Sequence, residues 1–333
     1  MTPKVSVCLL TYNHAHFIVA VLESIRAQTH RNFDLIVSDD CSTDGTWELI
    51  QSVAQKDARV KLIRTPRNLG MAGNANFAAG FAVGEYIALL HHDDILAPTL
   101  IEKWVEVARE SDDIGFVFND YDVWGVASHA SERKRFRRHM DGRRFLLGHL
   151  LRSWGCPVRG TALIRRACFE AIGGMRERFS LLADIDLWMR LAARWDVGYV
   201  AESLMRVTHR PPPDYPEEYT EFSWQRLKIL FDIHADNLKA LALDGAIRRQ
   251  LAWWVFRNRV SLEAGKWLVY AVVRRKQAML SRTKEGDNDY EWWPVRMMRG
   301  ALAARVCPDG EARQSVSAFN APTTTHDNKL SEK

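Results

Sequence analysis

The apolar run Tyr86-Ile-Ala-Leu-Leu90 stops abruptly at His91, His92, Asp93 and Asp94, before Ile95-Leu-Ala-Pro98. Imidazole and carboxylate are metal-ligand types, and aspartates in particular suit a hard divalent cation that also bridges to phosphate oxygens. If the strand carries through these four residues, His91 and Asp93 share one face and His92 and Asp94 the other. A surface turn is the plain alternative, because Asp-Asp after a strand is common. A second carboxylate pair, Asp39-Asp40, follows the apolar run Phe33-Asp-Leu-Ile-Val-Ser38. Adjacent carboxylates are costly to bury unless they accept hydrogen bonds, and the imide N–H of a uracil-like base is a suitable donor. Asp40 could instead cap the next helix, a task open also to Thr43 and Asp44. Thr11, Tyr12 and Asn13 close a third apolar run, Val5-Ser-Val-Cys-Leu-Leu10. A Tyr there can flank a base and a Thr can bond it, although ordinary turn chemistry explains both.

The elements that would position these residues alternate. Strands are expected at Val5–Leu10, Phe33–Ser38, Val60–Ile63 and Tyr86–Leu90. Helices are expected at Phe17–Gln28, with Ile18, Val21, Leu22 and Ile25 on one face, at Trp47–Gln55, and at Ala72–Phe81, rich in small residues. Alternation of this kind calls for an open, mostly parallel sheet with helices on both faces. Ligands of such sheets bind at the carboxyl ends of the strands, where all three polar groups fall. Further strands are expected at Ile114–Phe118 and Gly198–Val207.

The ordered set Val5-Ser-Val…Thr11-Tyr-Asn13, Gln28-Thr29, Asp39-Asp-Cys-Ser-Thr-Asp-Gly45, Asn68-Leu-Gly70…Asn76…Ala82-Val-Gly-Glu-Tyr-Ile87 and His91-His-Asp-Asp94 resembles family 2 of the nucleotide-sugar glycosyltransferases, over roughly residues 4 to 210. The resemblance implies the GT-A fold, an inverting transferase, a nucleotide-diphosphate sugar donor and a divalent metal, Mn2+ or Mg2+. It assigns the base contact to Asp40, with Asp39, Thr11, Tyr12, Asn13, Asn76 and His92 around the nucleotide sugar. It assigns the metal to Asp93, with His91 and Asp94 beside it. It also places His209 where relatives carry a His able to reach the metal or diphosphate. Leu182-Ala-Asp-Ile-Asp-Leu-Trp-Met-Arg190 resembles the family's Glu-Asp-x-Asp-Leu-x-x-Arg segment, which puts Asp184 on the general base. Asp184 could equally cap its helix, and Asp186 with Arg190 has the spacing of a helix ion pair.

Three residues depart from the family pattern. His91 stands where an Asp is usual, and imidazole shifts preference toward Mn2+ or another transition ion. Ala183 replaces a Glu. Ala75 replaces an Arg, so a phosphate contact would come from Arg64 or Arg67.

Five widely spaced cysteines with no C-x-x-C pair, in a chain of 333 residues, suggest idle thiols in a reducing compartment. Met1-Thr-Pro-Lys4 leads straight into a strand, leaving no room for a signal peptide, and no apolar run is long enough to cross a bilayer. The net charge of +5 is mild, and no nucleic acid is expected as a partner. The charge run Glu132–His139 suits a solvated loop, or contact with an anionic acceptor or a membrane. The expected division is a GT-A domain at 1–213, a helical region at 214–308 and a disordered tail at 309–333. Trp292 and Trp293 front a short basic amphipathic segment, Val295 to Val306, suited either to peripheral contact with an anionic membrane or to packing on the core. The expected protein is therefore a cytoplasmic transferase, at most peripheral on the inner face of the plasma membrane. It moves a sugar to a saccharide or lipid-linked acceptor in surface polysaccharide assembly. Two alternatives stay open. A nucleotidyltransferase would need a Gly-rich basic loop after the first strand, which Thr11-Tyr-Asn-His-Ala is not. A catalytically impaired sugar-binding scaffold would fit His91 and Ala183 but not the intact Asp93 and Asp184.

Overall fold

A computed structural model describes residues 2–55, 57–123, 136–152, 156–207, 224–240 and 250. The chain divides into two units, Met1–Arg248 and Arg249–Lys333, and the described elements lie in the first. The segment 292–306 and the tail 309–333 lie outside the described residues, as do His209 and the first half of the charge run, residues 132–135.

The first half alternates as the apolar spacing requires: β1 (Val5–Thr11), α1 (Ala15–Arg26), β2 (Phe33–Asp39), α2 (Thr46–Ala54), β3 (Val60–Arg64), α3 (Gly70–Ala79) and β4 (Tyr86–His91). Strand β1 is buried throughout, as a strand covered on both faces must be. Helix α1 buries Ile18, Val21, Leu22 and Ile25, the predicted face. Helix α3 buries Ala72, Gly73, Asn74, Ala75 and Ala78; small side chains let it lie close against the sheet. The second half comprises β5 (Ile95–Leu96), α4 (Leu100–Ala108), β6 (Ile114–Val123), β7 (His139–Met140), α5 (Gly142–Arg152), β8 (Ala162–Arg165), α6 (Arg166–Ala171), a 3-10 segment Glu177–Leu182, α7 (Ala183–Ala192), β9 (Asp196–Val207) and α8 (Trp224–Ala240).

These strands form one sheet in the order β3-β2-β1-β4-β8-β6-β9-β5, with β7 on β9. Strands β3, β2, β1 and β4 are parallel. Strand β8 runs antiparallel to β4 and β6. Chain order reverses between β1 and β4, so a crevice opens at their carboxyl ends, where open α/β sheets bind ligands. Register puts Thr11 beside Asp39 and Leu10 beside His91 at that edge.

Helix and strand ends shift from the sequence reading by a residue or two, as at α1 and α3, and two differences bear on the site. Strand β6 runs on to Val123 instead of stopping at Phe118, because β9 supplies a parallel partner past two register shifts. The polar Asn119 is tolerated inside it because its Oδ1 accepts the Trp104 indole N–H at 3.0 Å. Strand β4 ends at His91, and His92 and Asp93 form a turn. The strict face alternation expected through Asp94 therefore does not occur.

Candidate active site

The loop after β1 and the loop after β2 are laced together. Asn13, held at φ 50, accepts the Thr43 backbone N–H at 2.8 Å, while its own N–H donates to Ser42 Oγ at 3.0 Å. The His14 N–H donates to Thr46 Oγ1 at 2.8 Å. Asp39 is fully buried; its Oδ2 accepts from Ser42 N at 3.1 Å and from Arg64 Nε at 3.0 Å. Its Oδ1 has no partner, and neither has the buried Thr11 Oγ1. An orphaned buried acceptor is costly unless a ligand fills it. Asp40, also buried, spends Oδ1 on Thr65 Oγ1 and Leu69 N, each at 2.8 Å. Asp39 thus carries a buried open acceptor on this side, at Oδ1. Tyr12 is exposed at the rim.

Arg64 does not stand free for a phosphate. It pairs with Asp39, donates to Ser42 O at 2.8 Å and lies over Trp47, 5.0 Å from the ring centre. Asn76 is likewise committed. Its Nδ2 donates to Met175 O at 2.9 Å and its Oδ1 accepts Met175 N at 2.8 Å, fastening α3 to the loop before the 3-10 segment. The amide expected to meet a nucleotide sugar instead satisfies backbone.

At the end of β4 four groups crowd together. The His92 ring lies 3.9 Å from that of His14, and its Nδ1 lies 3.2 Å from Leu10 O. Burial, with His14 next in effect, pushes its pKa down to about 4. Burial also lowers His14, against the pull of Asp93, and the His14 Nδ1 is buried without a partner. Asp94 is buried, accepts Thr161 Oγ1 at 2.7 Å, and is pushed up to about 7 by burial and then by Asp93. The His91 Nε2 is buried and unpartnered. A Cβ on Gly160, which sits at φ +64, would fall 2.7 Å from that nitrogen and 3.4 Å from Asp184 Oδ2. Gly160 is therefore the spacer that lets the β4 end and the start of α7 converge.

Asp184 lies in the first turn of α7, and its Oδ1 accepts the next N–H, that of Ile185, at 2.8 Å. It does not cap the helix; Leu182 occupies that position. Desolvation raises the Asp184 carboxyl, opposed by His91 and Arg159. Burial, then the Asp184 charge, raises the Cys156 thiol. Among the described residues, no group of three His, Cys, Asp or Glu side chains is arranged to hold a metal ion. His91, Asp93 and Asp94 thus do not close an all-protein cage. The open His91 Nε2 and the neighbouring Asp93 fit a cation completed by substrate oxygens, since Mg2+-type sites often take one or two carboxylates plus phosphates.

Sequence reasoning missed His14, Arg159, Gly160 and Thr161. The last three directly precede β8, whose antiparallel entry beside β4 only the sheet order reveals. His14 follows Thr11-Tyr-Asn13 directly, and that adjacency was the available signal. Among the described residues no helix is long and apolar enough to cross a membrane.

The sequence and the fold resemble those of known proteins. EpsE of Bacillus subtilis (strain 168), named a glycosyltransferase, is 32% identical over 216 residues, covering 62% of this chain and 73% of EpsE. The Escherichia coli UDP-Glc:alpha-D-GlcNAc-diphosphoundecaprenol beta-1,3-glucosyltransferase WfaP is 36% identical over 117 residues, 35% of this chain and 45% of WfaP. Among solved structures, S. aureus TarS 1-349 in complex with UDP-GlcNAc matches with a TM-score of 0.64 at 16% identity, over 91% of this chain and 82% of that one. The mannosyltransferase PcManGT from Pyrobaculum calidifontis, in complex with GDP-Man and Mn2+, matches with a TM-score of 0.56 at 18% identity, over 95% and 84%. Residues 6–173 match the family described as Glycosyl transferase family 2, and the chain belongs to that family.

Proposed function

We propose that the protein is an inverting transferase that moves a sugar from a nucleoside-diphosphate donor to a hydroxyl of a saccharide or lipid-linked acceptor, with Asp184 as general base. The observation that carries this reading is the pairing of two sites across one crevice. Buried open acceptors, Asp39 Oδ1 and Thr11 Oγ1, stand at the β1–β2 end. A desolvated carboxylate, Asp184, stands beyond β4. The first suits the imide N–H of a uracil base, and a UDP-sugar complex of a fold neighbour supports a uridine donor. The second suits proton abstraction, because a raised carboxyl pKa brings the base closer to the hydroxyl it must deprotonate.

Asp184 takes the acceptor hydroxyl proton as that oxygen attacks the anomeric carbon. The bond from that carbon to the diphosphate oxygen breaks with its electron pair leaving on the nucleoside diphosphate. One displacement inverts the configuration. A divalent cation held by Asp93 and His91, Mn2+ or Mg2+, would neutralise charge on the leaving diphosphate when bound. Its dependence is supported by the Mn2+ complex of a fold neighbour. A lipid-linked acceptor and a place in surface polysaccharide assembly are supported by the substrate named for WfaP.

Nucleoside diphosphate release from a panel of nucleotide sugars, with and without Mn2+, tests the reading. One donor should turn over, and Asp184→Asn should lower its turnover by about 10² or more while leaving nucleotide binding intact. Normal turnover in Asp184→Asn would remove it from the mechanism.

A further inference from the structure

Helix α8 lies beyond the residues that match the family, yet it reaches the start of α7. Asn237 is buried on it, and its Nδ2 donates to Asp186 Oδ1 at 2.9 Å and to Ile233 O at 2.9 Å. Asp186 is fully buried; its Oδ2 accepts Arg190 Nε at 2.7 Å and its Oδ1 also faces Arg176 at 3.4 Å. Arg190 in turn donates to Ile172 O at 2.8 Å and Gly174 O at 2.6 Å. One residue earlier on α8, Asp236 pairs with Arg178 and lies 3.8 Å from Arg176. Adjacent residues of α8 therefore grip both sides of a short stretch. Within it Ser180, not glycine, is held at φ 46 and ψ −124. Such a conformation persists only where its surroundings impose it. Asp184 follows four residues later, two before the gripped Asp186.

We propose that Asn237 is a positioning residue for the transfer reaction: through Asp186 it fixes the first turn of α7 and so the direction in which Asp184 meets the acceptor hydroxyl. This rests on the assignment of Asp184 as base. Asn237 touches neither nucleotide pocket residue Asp39 nor Thr11 in any described contact, so its loss should act on turnover and not on donor binding. Misplacement of a reacting group by about 1 Å costs up to about 10²-fold in rate.

The test measures kcat and donor KM with the nucleotide sugar selected by the panel, and UDP affinity by calorimetry. For Asn237→Ala the expected result is a kcat lowered about tenfold or more, with donor KM and UDP affinity within about twofold of wild type. Asn237→Ser, which keeps a shorter donor, should recover part of the loss. Lys228→Ala, which breaks the exposed Lys228–Asp232 pair elsewhere on α8, should change neither constant. An unchanged kcat in Asn237→Ala overturns the proposal. So does a loss shared equally by kcat and UDP affinity, which marks general disruption. If Asn237→Ala does not fold, Asn237→Ser decides: reduced kcat at unchanged UDP affinity upholds the proposal and wild-type kcat overturns it. An active Asp184→Asn would defeat the base assignment itself. An inactive Asp184→Asn beside a fully active Asn237→Ala would defeat only the positioning role.

Discussion

Replacing Gly160 by Ala separates backbone strain from damage to the site. Gly160 sits at φ +64, in the left-handed region, which costs a residue with a Cβ about 1–2 kcal/mol. Gly173, at φ +73, bears the same backbone cost, but a Cβ there would meet nothing within 4 Å. The Gly160 Cβ would instead lie 2.7 Å from His91 Nε2 and 3.0 Å from His91 Cε1. Restoring an ordinary contact requires the imidazole or the loop to yield by about 0.7 Å. Neither is free to do so cheaply: Thr161 is fully buried and bonded to Asp94, and Leu10 and His91 are held in register. Gly173→Ala should therefore lose about 1–2 kcal/mol of stability and Gly160→Ala more than that, seen as a fall in Tm of roughly 2–4 °C per kcal/mol. Gly160→Ala alone should also lose turnover, about 10- to 100-fold, because displacements of this size misalign reacting groups. Differential scanning calorimetry and nucleoside diphosphate release read the two effects apart. Equal turnover in Gly160→Ala and Gly173→Ala would refute the view that His91 and Asp184 converge on a working site.

Asp39→Ala should weaken UDP affinity by roughly tenfold or more, since hydrogen bonds to charged groups contribute about 1.5–3 kcal/mol; calorimetry with unchanged affinity would clear the β2 end of a role in base binding. Asp93→Ala should abolish the Mn2+-dependent part of UDP affinity, whereas Asp94→Ala should be milder because Asp94 is engaged with Thr161. Chelation of Mn2+ should reproduce the Asp93→Ala effect in wild type, and indifference to both would count against the cation. Burial lowers His234 to about 4 from its ordinary 6.5. A folded pKa below the unfolded one means that the unfolded chain binds more protons between those values, so stability falls as pH drops through that window. The stability advantage of wild type over His234→Leu should therefore shrink by about 3 kcal/mol between pH 7 and pH 4 in urea titrations. A gap constant with pH would show that His234 does not titrate.

Local pattern sufficed for the nucleotide half. Continuous apolar runs such as Val5–Leu10 have no choice but a strand covered on both faces, and Ile18, Val21, Leu22 and Ile25 mark a buried helical face at their own spacing. Their polar endings, Thr11, Asp39 and His91, were therefore legible as one edge, because parallel strands joined by helices align their carboxyl ends. The sequence also placed Asp184 at the head of a helix and paired Asp186 with Arg190, both relations of near neighbours. What a side chain does with each of its atoms was not legible. Asn76 carries the family position yet gives its amide to Met175, and Arg64 turns to Asp39, because a polar group answers to whichever buried partner lies nearest in space. Which oxygens of Asp39 and Asp40 are bonded could be told only after Arg64, Thr65 and Leu69 were brought against them. Tertiary structure alone decided that antiparallel β8 enters beside β4 and sets Gly160 between His91 and Asp184. It alone joined Asn237 to Asp186, 51 residues apart. Such contacts follow from sheet order and helix docking, which minimise buried unpaired polarity over the whole chain and leave no periodic trace in any one segment of it.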